Sequence, residues 1–129
     1  MILVDSSVWV DFFSSSPGPA GVELSRIINE NEPFASSGVV VAEVLQGLTK
    51  DTGPIERLLA TCDFLEPAGF ETYRDAAALY RTARTRGISL TTIDTLIAAV
   101  ALEQGASVFT LDRDFARMAR ITGLQLYPF

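Results

Sequence analysis

Met1-Ile2-Leu3-Val4-Asp5 is a short apolar run closed by a carboxylate. It lacks the in-out alternation of a half-solvated strand, and a run of this kind fits a parallel strand buried on both faces, central in its sheet. Ser107-Val108-Phe109-Thr110-Leu111-Asp112 repeats the design near the other end of the chain, with a strand expected over Val108 to Leu111. Between and around these runs, short apolar stretches alternate with segments of helical spacing. Ser6 and Ser7 are placed to cap a helix through Phe13 that Ser14-Ser15-Ser16-Pro17-Gly18-Pro19 breaks, and Val22, Leu24, Ile27 and Ile28 keep helical period from Ala20 to Asn31. A strand at Phe34-Ala35 leads to Ser36 or Ser37 as cap of a helix reaching about Leu48. A further helix follows Pro54 and a strand lies at Phe64-Leu65.

The remaining elements continue the alternation. A helix from Glu71 to Arg86 carries Ala76, Ala77, Leu79, Tyr80 and Ala83 on its buried side, and Gly87 stops it. Thr91-Thr92-Ile93-Asp94 opens an apolar helix ending at Gly105, Phe115 to Ile121 is helical, and Leu124 to Tyr127 is a last strand. Strands alternating with helices give an α/β fold with a mostly parallel sheet covered by helices and ligands at the carboxyl ends of the strands. Asp5 and Asp112 both follow such ends.

Composition narrows the chemistry. At 129 residues and 48% hydrophobic content, residues 1–129 form a single domain. A net charge of -6, with Lys50 the sole lysine, argues against coating nucleic acid through a broad basic surface. The absence of histidine removes Ser-His-Asp and Cys-His catalysis and every His-ligated zinc site. Cys62 has no partner for an intrachain disulfide and reads as a small buried hydrophobe in a reducing compartment. The N-terminus lacks the basic and long apolar regions of a signal peptide, and the best apolar stretch, Ile93 to Leu102, is about half of what a bilayer requires. A cytoplasmic protein without a membrane partner is expected.

Carboxylate chemistry is what remains. Asp5, Glu43, Asp94 and Asp112 each adjoin an apolar segment. Singly, each has an ordinary explanation: Asp94 completes a capping-box-like Thr91-x-x-Asp94, Asp112 or Asp114 caps the next helix, and Asp5 closes a strand. Glu43 fits that scheme poorly, since it lies mid-helix after Val39-Val40-Val41-Ala42, where an acid is costly unless it faces a polar cleft. Taken together, acids from four distant segments suggest one pocket. Oxygen-only sites suit hard cations such as Mg²⁺ or Mn²⁺, and the leading inference is a metal-dependent phosphodiester hydrolase.

Asp5-Ser6-Ser7-Val8-Trp9-Val10-Asp11, Glu43-Val44-Leu45-Gln46-Gly47, Asp94-Thr95-Leu96-Ile97-Ala98-Ala99 and Thr110-Leu111-Asp112-Arg113-Asp114-Phe115 resemble, in order and spacing, the motifs of PIN-domain ribonucleases. The single-domain size is most similar to the VapC-type toxins of toxin-antitoxin modules. The resemblance implies a three-layer α/β/α sandwich and Mg²⁺- or Mn²⁺-dependent endonucleolytic cleavage of RNA. It makes Asp5 and Asp94 the principal metal ligands with Asp112 completing the cluster, and Glu43 the fourth acid, holding water or a second ion. Asp114 matches a further acidic position, and Ser7 and Thr110 match hydroxyls that orient carboxylates. It also implies a small antitoxin as partner and a homodimer. Inhibition is expected from a basic side chain or strand-like segment placed in the acidic cleft.

Arg74, Arg81, Arg84 and Arg86 precede the loop to Asp94, and Arg113, Arg117 and Arg120 follow Asp112. They read either as solvated helix faces or as phosphate contacts, with Arg81, Arg84, Arg86 and Arg113 the RNA-binding candidates. Trp9, Phe12 and Phe13 read as core or subunit interface before base stacking. Two enzyme-free alternatives compete with the hydrolase. A receiver-like phosphoacceptor needs a late lysine that the chain lacks; a PIN-like binding module without cleavage leaves the mutual repulsion of four acids unexplained. A housekeeping RNA-processing nuclease stays open beside the toxin.

Overall fold

The computed structural model describes residues 1–129. The chain runs β1 (Ile2–Val4), α1 (Ser6–Phe12), α2 (Pro19–Asn29), β2 (Ala35–Ser36), α3 (Gly38–Gln46), α4 (Thr52–Ala60), β3 (Asp63–Phe64), α5 (Phe70–Thr85), α6 (Thr92–Gln104), β4 (Ser107–Phe109), α7 (Arg113–Ile121) and β5 (Gln125–Leu126). The sheet is five-stranded in the order β3-β2-β1-β4-β5, with every pairing parallel. β1 is central, as its unalternating apolar run requires; Leu3 and Val4 are fully buried, as are Val108 and Phe109 opposite them.

From β1 the chain winds to β2 and β3 on one side, then crosses back over β1 to β4 and β5 on the other. Right-handed crossovers running in opposite directions place their helices on opposite faces. α1 to α4 therefore cover one face and α5 to α7 the other, in agreement with the packing of α1 on α2 and α3 and of α6 on α5 and α7. The reversal falls between β1 and β4, where the connections leave to opposite sides and open a crevice at the strands' carboxyl ends.

The first crossover is held by two devices. The Asp11 carboxylate accepts from the backbone N–H of Gly18 at 3.0 and 3.1 Å and of Gly21 at 2.7 Å, fixing the start of α2 against the end of α1. Gly21 lets the helices touch, since a Cβ there would stand 3.0 Å from the Asp11 and Phe12 backbone. Trp9 is wholly buried, with Phe13 stacked at 5.7 Å and Phe12 edge-on at 5.8 Å, so these rings are core rather than a base-stacking surface.

Several boundaries differ from the sequence expectation for local reasons. Neither Ser6 nor Ser7 caps α1: the N-cap is Asp5, without a side-chain cap bond, and both serines lie within the first turn. Ser36 is a strand residue, while Ser37 caps α3 by accepting from Val40 N–H. On α5, Ala77 faces solvent, and the buried positions are Thr72, Ala76, Leu79 and Ala83. β4 stops at Phe109 because Thr110 turns toward the crevice, leaving Leu111 exposed, and α7 starts two residues before Phe115 because Asp112 caps it. Cys62 is half-buried rather than buried; burial, then the Asp63 charge, pushes its thiol up to about 11 and keeps it protonated. No helix is long and apolar enough to cross a membrane.

Candidate active site

The register of β1 on β4 aligns Ile2 with Ser107, Leu3 with Val108 and Val4 with Phe109. One step further the strands end, and Asp5 and Thr110 stand side by side at the crevice. Asp5 N–H still donates to Phe109 C=O at 2.9 Å, so the carboxylate is fixed by the last rung of the ladder. Its side chain is buried, and Oδ2 accepts from the hydroxyls of Thr110 at 2.8 Å and Ser7 at 2.9 Å. Those hydroxyls are themselves anchored. Ser7 Oγ accepts from Leu111 N–H and Thr110 Oγ1 from Asp112 N–H, each at 2.9 Å. Two side chains thus stitch the end of β1 to the turn that carries Asp112.

Asp112 then serves two roles at once. Its Oδ1 accepts from Asp114 N–H at 2.9 Å as the N-cap of α7, the bland explanation for an acid there, while Oδ2 makes no hydrogen bond. Asp94 sits in the first turn of α6, whose cap is Thr91 accepting from Asp94 N–H at 3.1 Å. Ligand atoms of Asp94, Asp112 and Asp114 all lie within 4.8 Å of one another. This triple includes Asp114, whose role the sequence leaves open, and does not include Asp5. Asp114 Oδ1 is engaged by Arg117 Nη1 at 2.8 Å, a pairing that the i,i+3 spacing on α7 could have signalled.

Asp5 and Glu43 join the group through charge. Burial pushes the Asp94 carboxyl from its ordinary 3.8 up to about 6, with the negative charges of Asp112, Asp5 and Glu43 adding to it and the Thr91 hydroxyl opposing. Burial also raises Glu43, reinforced by the charge of Asp5 and, more weakly, Asp112, against a lowering contribution from the Ser6 hydroxyl. The charges of Asp112, Asp5 and Glu43 thus reach Asp94, and those of Asp5 and Asp112 reach Glu43.

Glu43 supplies the observation that tests a cation here. Its Oε1 is buried without a hydrogen-bond partner, an arrangement native structures seldom leave uncompensated. A buried unpaired carboxylate oxygen, beside acids that each keep an oxygen free, is a donor set of oxygens alone, and hard divalent cations suit such a set. The residues fit a divalent metal ion. The largest hollow, about 550 Å³, lies elsewhere, between α5, α6 and the end of α7, while Glu43 alone of the five acids borders a hollow, of about 190 Å³.

The arginines divide. Arg81, Arg84, Arg86 and Arg113 are exposed and none has a carboxylate partner; Arg84 reaches only the Tyr80 hydroxyl at 3.4 Å. Arg74 is loosely paired with Asp75 at 3.6 Å. Arg81 lines a hollow between α5 and the start of α6 together with Thr92 and Thr95.

Residues 2–121 match the PIN domain family model. Ribonuclease VapC11 of Mycobacterium tuberculosis is 37% identical over an alignment spanning 100% of this chain and 99% of the relative, and a VapC ribonuclease of Mycobacterium bovis matches equally. Among solved structures, VapBC2 from Rickettsia felis, bound to a promoter DNA fragment, superposes with a TM-score of 0.77 at 20% identity, covering 100% of this chain and 99% of that one. VapBC-1 from nontypeable Haemophilus influenzae gives 0.75 at 20% identity, covering 98% and 97%.

Proposed function

Since the chain belongs to the PIN-domain family, we propose that its crevice is the active site of a divalent-metal-dependent endoribonuclease, the toxin of a toxin-antitoxin module. RNA is the substrate, and a small antitoxin protein is the partner that holds the activity in check. The observation that carries the metal dependence is the unpartnered, buried Glu43 Oε1, on a carboxyl that also feels the charges of Asp5 and Asp112.

In this reading Asp5, Asp94 and Asp112 hold Mg²⁺ or Mn²⁺, with Asp114 at the edge of the same group. Bound there, the cation makes a water nucleophilic near neutral pH and offsets charge on the departing oxygen. Ser7 and Thr110 position: their hydroxyls commit Asp5 Oδ2 and leave Oδ1 for the cation. Glu43, whose burial raises its proton affinity, is suited to receive a proton from attacking water. Arg81, Arg84, Arg86 and Arg113 lie free to meet phosphates at a rim that is otherwise acidic. The cytoplasm, where RNA is present and Cys62 stays reduced, is the compartment that suits this activity.

The test uses the purified full chain and a fluorescent single-stranded RNA, with Mg²⁺, Mn²⁺ or chelator. Cleavage should require the cation, and Asp5→Asn and Asp94→Asn should each lower it by about a hundredfold or more, as removing a group that shapes a metal site does. Wild-type rates in either variant at matched metal would refute the assignment. An operon partner that co-purifies and inhibits separates toxin from housekeeping nuclease.

A further inference from the structure

Five hollows open on the surface, and four of them are lined by at least one carboxylate: Asp75, Glu66, Asp63 and Glu43 each stand in one. The remaining hollow, about 390 Å³ between α5 and the start of α6, has no acid and holds Arg81, the only basic residue found in any of them. That guanidinium is unpaired, since the ion pairs of the chain occupy Arg26, Arg74 and Arg117. Tyr73 and Tyr80 stand on the α5 wall, about 10 Å apart along the helix axis, and the small side chains of Ala76 and Ala77 leave the space between them open. Tyr73 is 54% exposed. Thr92, Thr95 and Leu96 form the α6 wall, where the Thr95 hydroxyl is already committed to Thr92 C=O at 2.9 Å.

We propose that this hollow is a nucleobase subsite, in which an unpaired base of the RNA stacks on Tyr73 and Tyr80 while Arg81 meets the adjoining phosphate. Bases splayed from single-stranded RNA stack on aromatic rings, and arginine answers both the phosphate charge and, through its flat guanidinium, the face of a base. Charge selects the occupant: in a chain of net charge -6, hollows bordered by acids repel a phosphate and this one attracts it. Placement agrees. Thr92 and Thr95 flank Asp94 in sequence, so the hollow and that carboxylate belong to the same first turn of α6, on different sides of it, and a strand crossing the start of α6 meets both. Few polar groups are free to read the base edge, so stacking dominates and the subsite accepts a base of any identity. It demands instead an unstacked base at a set distance from the scissile bond, which paired RNA does not supply. The inference rests on the endoribonuclease reading above.

Steady-state cleavage of single-stranded RNAs that each carry one abasic nucleotide, tiled across the cut site, tests it on the full-length chain. In wild type one abasic position should raise KM about fivefold or more with little change in kcat, the loss expected when a single stacked base is removed. Tyr73→Ala combined with Tyr80→Ala should raise KM on intact RNA by a similar factor and show no further loss at that position. Tyr73→Phe with Tyr80→Phe, which keeps both rings, should restore the sensitivity. Because Tyr80 is half-buried, Tyr73→Ala is also measured alone and should move KM in the same direction. Equal abasic penalties in wild type and the alanine variants overturn the subsite and leave the nuclease reading standing. So does an altered oligomeric state of those variants in sedimentation with KM unchanged, which gives the face to a second copy of the chain. No cleavage of any RNA by wild type with Mg²⁺ or Mn²⁺ overturns both.

Discussion

Asp94→Asn removes a carboxylate that the folded state holds against its preference, and the effect on stability should change sign with metal. The rise from an ordinary 3.8 to about 6 corresponds to about 3 kcal/mol, at 1.36 kcal/mol for each tenfold change in proton affinity. Solvent screening of a side chain that is only partly buried reduces this to about 2 kcal/mol. The folded state binds the proton more tightly than the unfolded one. The group therefore costs nothing below about pH 3.8, costs progressively more as pH rises, and costs its full amount above about pH 6. Against this, an acid in the first turn of α6 gains about 0.3 to 1 kcal/mol from the helix dipole, which Asn forfeits. The net expectation at pH 7.5 in chelator is a variant more stable by about 1 kcal/mol. With an unfolding entropy of about 0.27 kcal/mol/K for 129 residues, that is about 4 °C in Tm. Saturating Mg²⁺ at about a hundred times Kd should add about 2.7 kcal/mol to wild type and much less to the variant, inverting the order. At pH 4 without metal the two should melt together. Calorimetric or fluorescence melts across these conditions decide. A variant less stable than wild type in chelator at pH 7.5, with no metal response in either, makes Asp94 an ordinary helix-start residue and refutes the shared pocket.

The other predictions separate structural from chemical roles. Asp112→Asn keeps an acceptor for Asp114 N–H and should retain stability while losing cleavage, whereas Asp112→Ala should also lose about 1 kcal/mol for the missing cap, read from urea midpoints. Ser7→Ala combined with Thr110→Val should weaken metal affinity about tenfold or more, measured by calorimetric titration, because both hydroxyls that fix Asp5 disappear. Neutralising Arg81, Arg84 and Arg86 should reduce the log-log salt slope of RNA binding by about 0.7 for each phosphate that no longer meets an arginine, while leaving Mn²⁺ affinity in place; an unchanged slope makes them a solvated face.

The strands that build the crevice are legible in the sequence because burial on both faces leaves a recognisable run: Met1 to Val4 and Ser107 to Phe109 contain little but apolar side chains. The carboxyl ends are legible for the same reason, since the first polar residue after such a run marks the edge of the sheet. Local competition is not legible. Asp5, Ser6 and Ser7 offer three side chains for one helix start, and tertiary partners decide among them: Ser7 is drawn across to Asp5, Thr110 and Leu111, leaving no side chain on the cap. Ala77 and Ala76 are equivalent in composition, and only the packing of α5 on α6 tells them apart. The Asp114–Arg117 pair is visible as spacing, but an i,i+3 acid and base on a helix is so common that spacing alone does not distinguish a surface pair from a neighbour of the site.

The topology explains why these acids can meet at all. A sheet wound in one direction would send every crossover past the end of the preceding strand and cover it. Reversing direction between β1 and β4 leaves two adjacent carboxyl ends uncovered, and Asp5 and Asp112 follow them. α3 and α6 each start at that same edge, on opposite faces, and add Glu43 and Asp94. Burial first, and then the convergence of negative charge, raises the proton affinities of Glu43 and Asp94, so the crevice favours a cation over none. A metal ion, the Arg117 guanidinium and a basic side chain offered by an inhibitory partner all answer the same charge. Ligands that neutralise the same carboxylates cannot bind independently, and linkage makes the penalty reciprocal. A partner that silences the nuclease through a basic side chain in this crevice must weaken metal binding by the factor by which metal weakens the partner.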